Sequence, residues 1–261
     1  VKFFLCLFVL FYASGCSTFN SLAERSLYPF EKVNESIPYE KPDNVEALET
    51  DDFFLWSIYG EGPIIFYFHG NGESLSALSM IGLTDVLGQL GHTILMEYPG
   101  IHPAPGEPTE KEITYKAVKM IEEVKAALPD REIVIMGRSL GAAVAMAAAS
   151  HTGPDKLILI SPWTDFESVA KKSPLGWATF LVTNDFWNAN EWNSLEKASL
   201  SEYNALVIHG ADDKLIPYEM GEEMARELRA VMFKVPGRGH NDVLHDPEAW
   251  GAIIKFMANI L

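Results

Sequence analysis

Cysteine is scarce in this chain: only Cys6 and Cys16, both within the first sixteen of its 261 residues. Beyond that point no internal disulfide or thiolate metal site is possible, so packing must hold the body together. Positive charge is also scarce. Twenty Lys and Arg stand against 36 Asp and Glu, a formal charge of −16, which disfavours nucleic acid and anionic lipid headgroups as partners. Internal repeats and low-complexity tracts are missing too. What remains is 261 residues with 48% hydrophobic content, which suits one large α/β domain better than two small ones.

The opening run has Lys2, an apolar stretch from Phe3 to Tyr12, then small residues leading into Cys16. It is too short for a stable membrane anchor and has the three-part layout of a secretory signal. Ala13, Ser14, Gly15 and Cys16 resemble the lipobox of bacterial lipoproteins, although Ala13 stands where leucine is commoner and the basic region is short. The resemblance implies cleavage before Cys16 and a palmitate-type acyl anchor on it. It also implies an envelope location, at the outer membrane where the source has two membranes. Loss of residues 1–15 removes one lysine and no acid, so the chain becomes slightly more acidic. Attachment to the membrane is then expected from acyl chains rather than a basic patch. Residues 16–44 are polar, contain Pro29, Pro38 and Pro42, and read as a tether. Leu27, Tyr28, Phe30 and Tyr39 are apolar enough to pack partly on the domain, which is expected over 45–261.

Within that domain, short stretches at 45–50 and 53–59 precede the apolar run IIFYF at 64–68, as expected of a buried strand. Further runs lie at 92–97, 132–136, 156–160, 205–210 and 230–235, with helical patterns between most of them. The clearest helix spans Thr109 to Leu128, where Ile113, Ala117, Met120, Ile121, Val124 and Leu128 share one face; Thr109 and Glu112 match a capping box. The alternation predicts an α/β fold: a mostly parallel central sheet with helices on both faces and the first strands antiparallel at the edge. Function in such sheets gathers at the strand C-termini.

The sharpest local signal is GRSLG at 137–141, between the strand EIVIM and an alanine-rich helix. A tight turn there needs Gly137 and Gly141 to avoid collisions, and it leaves the Ser139 hydroxyl exposed at a helix N-terminus. A serine nucleophile needs a histidine base, and that base needs an acid. The segment LVIHGADDKLIP ends one strand with Asp212 and Asp213, and VPGRGHND ends the next with His240. Asp242 lies too close to His240 in sequence to replace the acid easily. His245 reads as the start of the last helix region, and His69, His92, His102, His151 and His209 read as structural.

GRSLG, HGADDKLIP and GRGHND, in that order, resemble the three triad segments of the α/β-hydrolase superfamily, over nearly everything from Val45 to Leu261. The family pattern sets the acid four residues before a proline, which maps onto Asp213 given Pro217. The resemblance implies Ser139 as nucleophile, His240 as base and Asp213 as its orienting acid. FHGNGE at 68–73 is similar to the family's HG turn, implying oxyanion donors at the amides of Asn71 and Leu140. No metal or organic cofactor is required. In the loop 96–111, Pro99, Pro103, Pro105 and Pro108 replace much of the family's usual glycine, implying a stiffer rim.

Between 161 and 205 lie Trp163, Trp177, Phe180, Leu181, Phe186, Trp187 and Trp192, too short a stretch for a large lid. These aromatics serve either an apolar pocket with Trp163 at its edge or ordinary helix packing. Relatives with such segments include carboxylesterases, thioesterases and peptidase-like enzymes. Ester or thioester hydrolysis is the leading expectation. A peptidase acting on envelope peptides, and a noncatalytic envelope lipoprotein that keeps the fold, are the alternatives.

Overall fold

The computed structural model describes residues 18–173, 176–200 and 202–261; Cys6 and Cys16, with the whole signal-like stretch, lie outside them, as does the Trp177 side chain. Residues 18–27 form a helix, α1, followed by α2 (Phe30–Ser36), β1 (Glu46–Glu49), β2 (Phe54–Ile58) and β3 (Ile64–Phe68). Then come α3 (Leu75–Met80), α4 (Leu83–Leu90), β4 (His92–Met96), α5 (Glu110–Ala127), β5 (Ile133–Arg138) and α6 (Leu140–Thr152). After β6 (Lys156–Ile160) run α7 (Phe166–Lys172), a 3-10 turn (Gly176–Leu181), α8 (Asn184–Ala189) and α9 (Ser194–Ser199). The chain closes with β7 (Ala205–Gly210), α10 (Tyr218–Glu227), β8 (Val231–Val235), a 3-10 turn (Val243–His245) and α11 (Pro247–Met257).

The strands form one sheet in the order β1-β2-β4-β3-β5-β6-β7-β8. From β4 to β8 every pairing is parallel, while β2 runs against both β1 and β4. Alternation along the strands explains why both faces are covered. In β3, Ile64, Phe66 and Phe68 enter one apolar cluster and Ile65 and Tyr67 the other, the period of two that a strand imposes. Central strands β3, β5, β6 and β7 are buried throughout, whereas the edge strand β1 is exposed along its length.

The capping box before α5 is half formed. Thr109 Oγ1 accepts from Glu112 N at 3.1 Å, but the Glu112 carboxylate turns to Lys116 Nζ, 3.1 Å away, and to Glu107 N.

Within the segment 16–44 expected to be a tether, the apolar residues expected to pack on the domain do so from residue 18 onward. Leu27, Tyr28, Phe30 and Val33 are buried in the main apolar cluster. Tyr28 Oη accepts from Trp192 Nε1 at 2.9 Å and donates to Asn190 Oδ1 at 3.0 Å, and the Asn20 side chain pairs reciprocally with Thr183. Four large apolar groups and a satisfied buried hydroxyl outweigh the polar, proline-bearing composition that makes the segment look free.

Candidate active site

The site is built at the C-terminal ends of β3, β5, β7 and β8. At the end of β5 the chain turns sharply into α6, and Ser139 sits at φ 56° and ψ −120°, a conformation that L-residues rarely adopt. Two glycines permit it. A methyl on Gly137 would lie 2.0 Å from the Gly141 carbonyl oxygen, and one on Gly141 would lie 2.0 Å from the Phe68 carbonyl oxygen. With alanines buried along its length, α6 therefore lies directly on the sheet. Ser139 N donates to the Ile160 carbonyl at 2.9 Å, fixing the turn to the neighbouring strand.

Three predicted side chains meet in line. His240 Nε2 stands 2.9 Å from Ser139 Oγ, and His240 Nδ1 stands 2.8 Å from Asp213 Oδ2. The other Asp213 oxygen accepts from the amides of Leu215 and Ile216 at 2.9 and 2.8 Å. Burial opposes ionisation of Asp213, but hydrogen bonds from His209 and His240, the His240 charge and the Ile216 amide outweigh it. Its carboxyl is held well below the usual carboxylate range. Asp212 is exposed and takes no part. Asp242 accepts from Gly239 N at 2.7 Å and so caps the loop carrying His240. His209 is buried, with Nε2 2.9 Å from the Ile216 carbonyl and 3.4 Å from Asp213 Oδ2, which braces the acid from behind.

The turn after β3 is tied down from inside. His69 is buried with Nε2 3.0 Å from Glu97 Oε1, and Tyr98 Oη donates to the His69 carbonyl at 2.7 Å. Burial works against charge on His69, yet Glu97 and the Gly70 carbonyl together raise its pKa above the ordinary value. Among the described residues, the backbone amides of Asn71 and Leu140 donate to no protein acceptor. The Asn71 side chain donates instead to the Ser26 and Leu27 carbonyls at 3.1 and 3.3 Å, capping the end of α1.

Sequence reasoning missed a second tie. Arg138, inside the GRSLG motif, is buried; its guanidinium pairs with Glu73 and donates to the His240 carbonyl at 3.0 Å and Asn241 Oδ1 at 3.2 Å. Glu73 in turn accepts from Gly70 N at 2.6 Å. One cation thus links the serine turn, the HGNGE turn and the histidine loop, contacts 65 and 102 positions apart in the chain.

Beside Ser139 opens a cavity of about 470 Å³. Trp163 and Trp187 line it together with Val182, Leu215 and Ile216, and α1 supplies the facing wall through Phe19, Leu22, Ala23 and Ser26. The aromatic stretch therefore divides: Trp163 and Trp187 face the cavity, while Trp192 packs inward against Tyr28 and Phe180 points to solvent. Among the described residues no three His, Cys, Asp or Glu side chains gather as a metal site.

Sheet order, parallel topology and the strand-end site are those of the α/β-hydrolase fold. A family model described as the alpha/beta hydrolase fold matches residues 63–188, and one described as TAP-like protein matches 175–259. Lysophosphatidylserine lipase ABHD12 of Xenopus tropicalis is 29% identical over 228 residues, 76% of this chain; the chain spans only 58% of that relative's length. In fold, the chain is similar to the Pyrococcus furiosus esterase Pf2001, with a TM-score of 0.66 at 17% identity over 88% of this chain and 93% of that one. It is also similar in fold to a puromycin-hydrolyzing peptidase of Mycobacterium tuberculosis, with a TM-score of 0.67 at 16% identity, covering 84% of this chain and 41% of that one.

Proposed function

We propose that this chain is a serine hydrolase that cleaves a carboxylic ester or thioester of a single fatty acyl chain through an acyl-enzyme on Ser139. The observation that carries the reading is the Ser139–His240–Asp213 line opening directly onto an apolar cavity. A hydroxyl 2.9 Å from a histidine nitrogen is within range for general-base activation.

In this mechanism His240 Nε2 takes the Ser139 proton as Oγ attacks the carbonyl carbon. Asp213 holds His240 with Nδ1 protonated and stabilises the imidazolium that forms. The amides of Asn71 and Leu140 receive the developing oxyanion, since neither has another protein acceptor among the described residues. His240 then protonates the leaving group, whose departure leaves the acyl ester on Ser139. Water deprotonated by His240 attacks that ester and releases the acid.

The aromatic and aliphatic walls favour an acyl chain over a peptide backbone, which needs polar partners along its length. The lysophospholipid specificity named for the ABHD12 relatives fits a one-chain amphiphile of this kind. Hydrolysis of p-nitrophenyl esters and a lysophospholipid, set against amino-acid amides and short peptides, tests the substrate class. Turnover of the esters with none of the amides supports it, and the reverse makes the chain a peptidase.

We also propose that Cys16 carries acyl chains that hold the enzyme in the cell envelope. Mass spectrometry of the mature N-terminus reads this directly: an acylated Cys16 supports the anchor, and an unmodified N-terminus excludes it.

A further inference from the structure

The cavity beside Ser139 has a mouth whose residues serve no step of the chemistry. Leu22 and Leu215 line it yet are 49% and 53% exposed, and Phe180, between the lining residues Thr179 and Val182, is 76% exposed. Single exposed apolar residues are ordinary. Leu22 and Leu215 border one opening, and Phe180 follows the lining residue Thr179 in the chain.

Cations stand next to the lining residues in the chain. Arg25, Lys172 and Lys214 are exposed, and each follows or precedes a residue lining the cavity: Ser26, Ser173 and Leu215. None of the three joins an ion pair among the described residues. In a chain of net charge −16, three cations next to lining residues and in no ion pair among the described residues form a local exception, with Glu24 the acid beside Arg25.

We propose that this rim seats on the surface of a zwitterionic phospholipid bilayer. Leu22, Phe180 and Leu215 enter the acyl boundary, and Arg25, Lys172 and Lys214 meet the lipid phosphates. The cavity then takes its acyl chain from the membrane without passage through water. The net charge sets the choice of bilayer, because an acidic protein is repelled at long range by an anionic surface. What enters the cavity rests on the acyl-ester reading above; the docking itself does not.

The test exploits the cysteine-poor body. In the mature form, residues 16–261 carrying Cys16→Ser, a single cysteine at Phe180→Cys is labelled with the polarity-sensitive fluorophore NBD, and a second protein carries the label at Tyr59→Cys. Tyr59 is exposed beside His92, the first residue of β4, at the end of the sheet away from Ser139. With phosphatidylcholine vesicles, the label at 180 shifts to the blue and is quenched by spin-labelled lipid, and the label at 59 does neither. No shift at 180 with lipid in excess, equal shifts at both positions, or a shift at 180 that needs only more protein and no vesicles overturns the proposal; the last makes a second copy the occupant.

Activity supplies an independent arm. Phe180→Ser leaves hydrolysis of a soluble short-chain ester unchanged and lowers hydrolysis of a vesicle-borne ester several-fold. Should the unmodified chain hydrolyse no ester at all, the acyl-ester reading fails while the fluorescence still decides the docking.

Discussion

At the scale of single residues the account rests on three side chains in line and on the groups that hold them there. Asp213 leaves His240 only one useful orientation, so Asp213→Asn is expected to lower kcat on the order of 10⁴-fold, measured as steady-state ester turnover. It also carries a pH signature. Because the folded carboxyl ionises well below its ordinary value of 3.8, its contribution to stability is complete above that value and is lost as the pH falls toward the folded pKa. The gap in Tm between Asp213→Asn and the unmodified chain is therefore expected to narrow between pH 7 and pH 3. A gap that widens on acidification contradicts the assignment of a depressed pKa. Arg138 touches no reacting atom and is a positioning residue. Its removal in Arg138→Met misplaces the histidine loop and the HGNGE turn together, with an expected loss of about 10²-fold in kcat and little change in KM. Partial recovery in Arg138→Lys, which keeps the charge but not the fork, separates this role from simple loss of packing.

At the scale of elements, the N-terminal helix contributes something the strands and helices of the sheet do not: a cavity wall. Phe19, Leu22, Ala23 and Ser26 line the cavity at the spacing of one helical stripe. Ala23→Trp fills the space facing Trp163, so rates on long-chain esters are expected to fall at least tenfold while rates on acetyl or butyryl esters stay within about twofold; equal losses on both would place the acyl chain elsewhere. The same element shows where sequence reasoning stops. GRSLG, HGADDKLIP and GRGHND are legible because each needs only its own turn chemistry and a strand before it. The stripe at 19, 22, 23 and 26 is present in the sequence too, but prolines and polar neighbours hide it, and no local rule says which surface such a stripe meets. The Arg138–Glu73 pair was out of reach for a related reason, since 65 residues separate its partners and only the closed sheet brings them together. The division of the tryptophans followed suit: Trp163 faces the cavity and Trp192 turns to Tyr28 because α1 and α2 occupy the space beside them.

At the scale of the whole molecule, an eight-stranded sheet separates two apolar layers and delivers four strand ends to one edge. That sheet was legible from alternating apolar runs, including the reversed strand β2 near its edge. Among the described residues no helix is long and apolar enough to cross a membrane. The proposed hold on lipid rests on Cys16 and on the rim around the cavity. The central claim is that this fold makes Ser139 a nucleophile. Reaction of the folded chain with a fluorophosphonate probe, followed by peptide mapping, tests it most directly. The account predicts one adduct, on Ser139, absent from Ser139→Ala and strongly reduced in a folded His240→Gln variant. No adduct on the folded chain, or one that persists in Ser139→Ala, contradicts it.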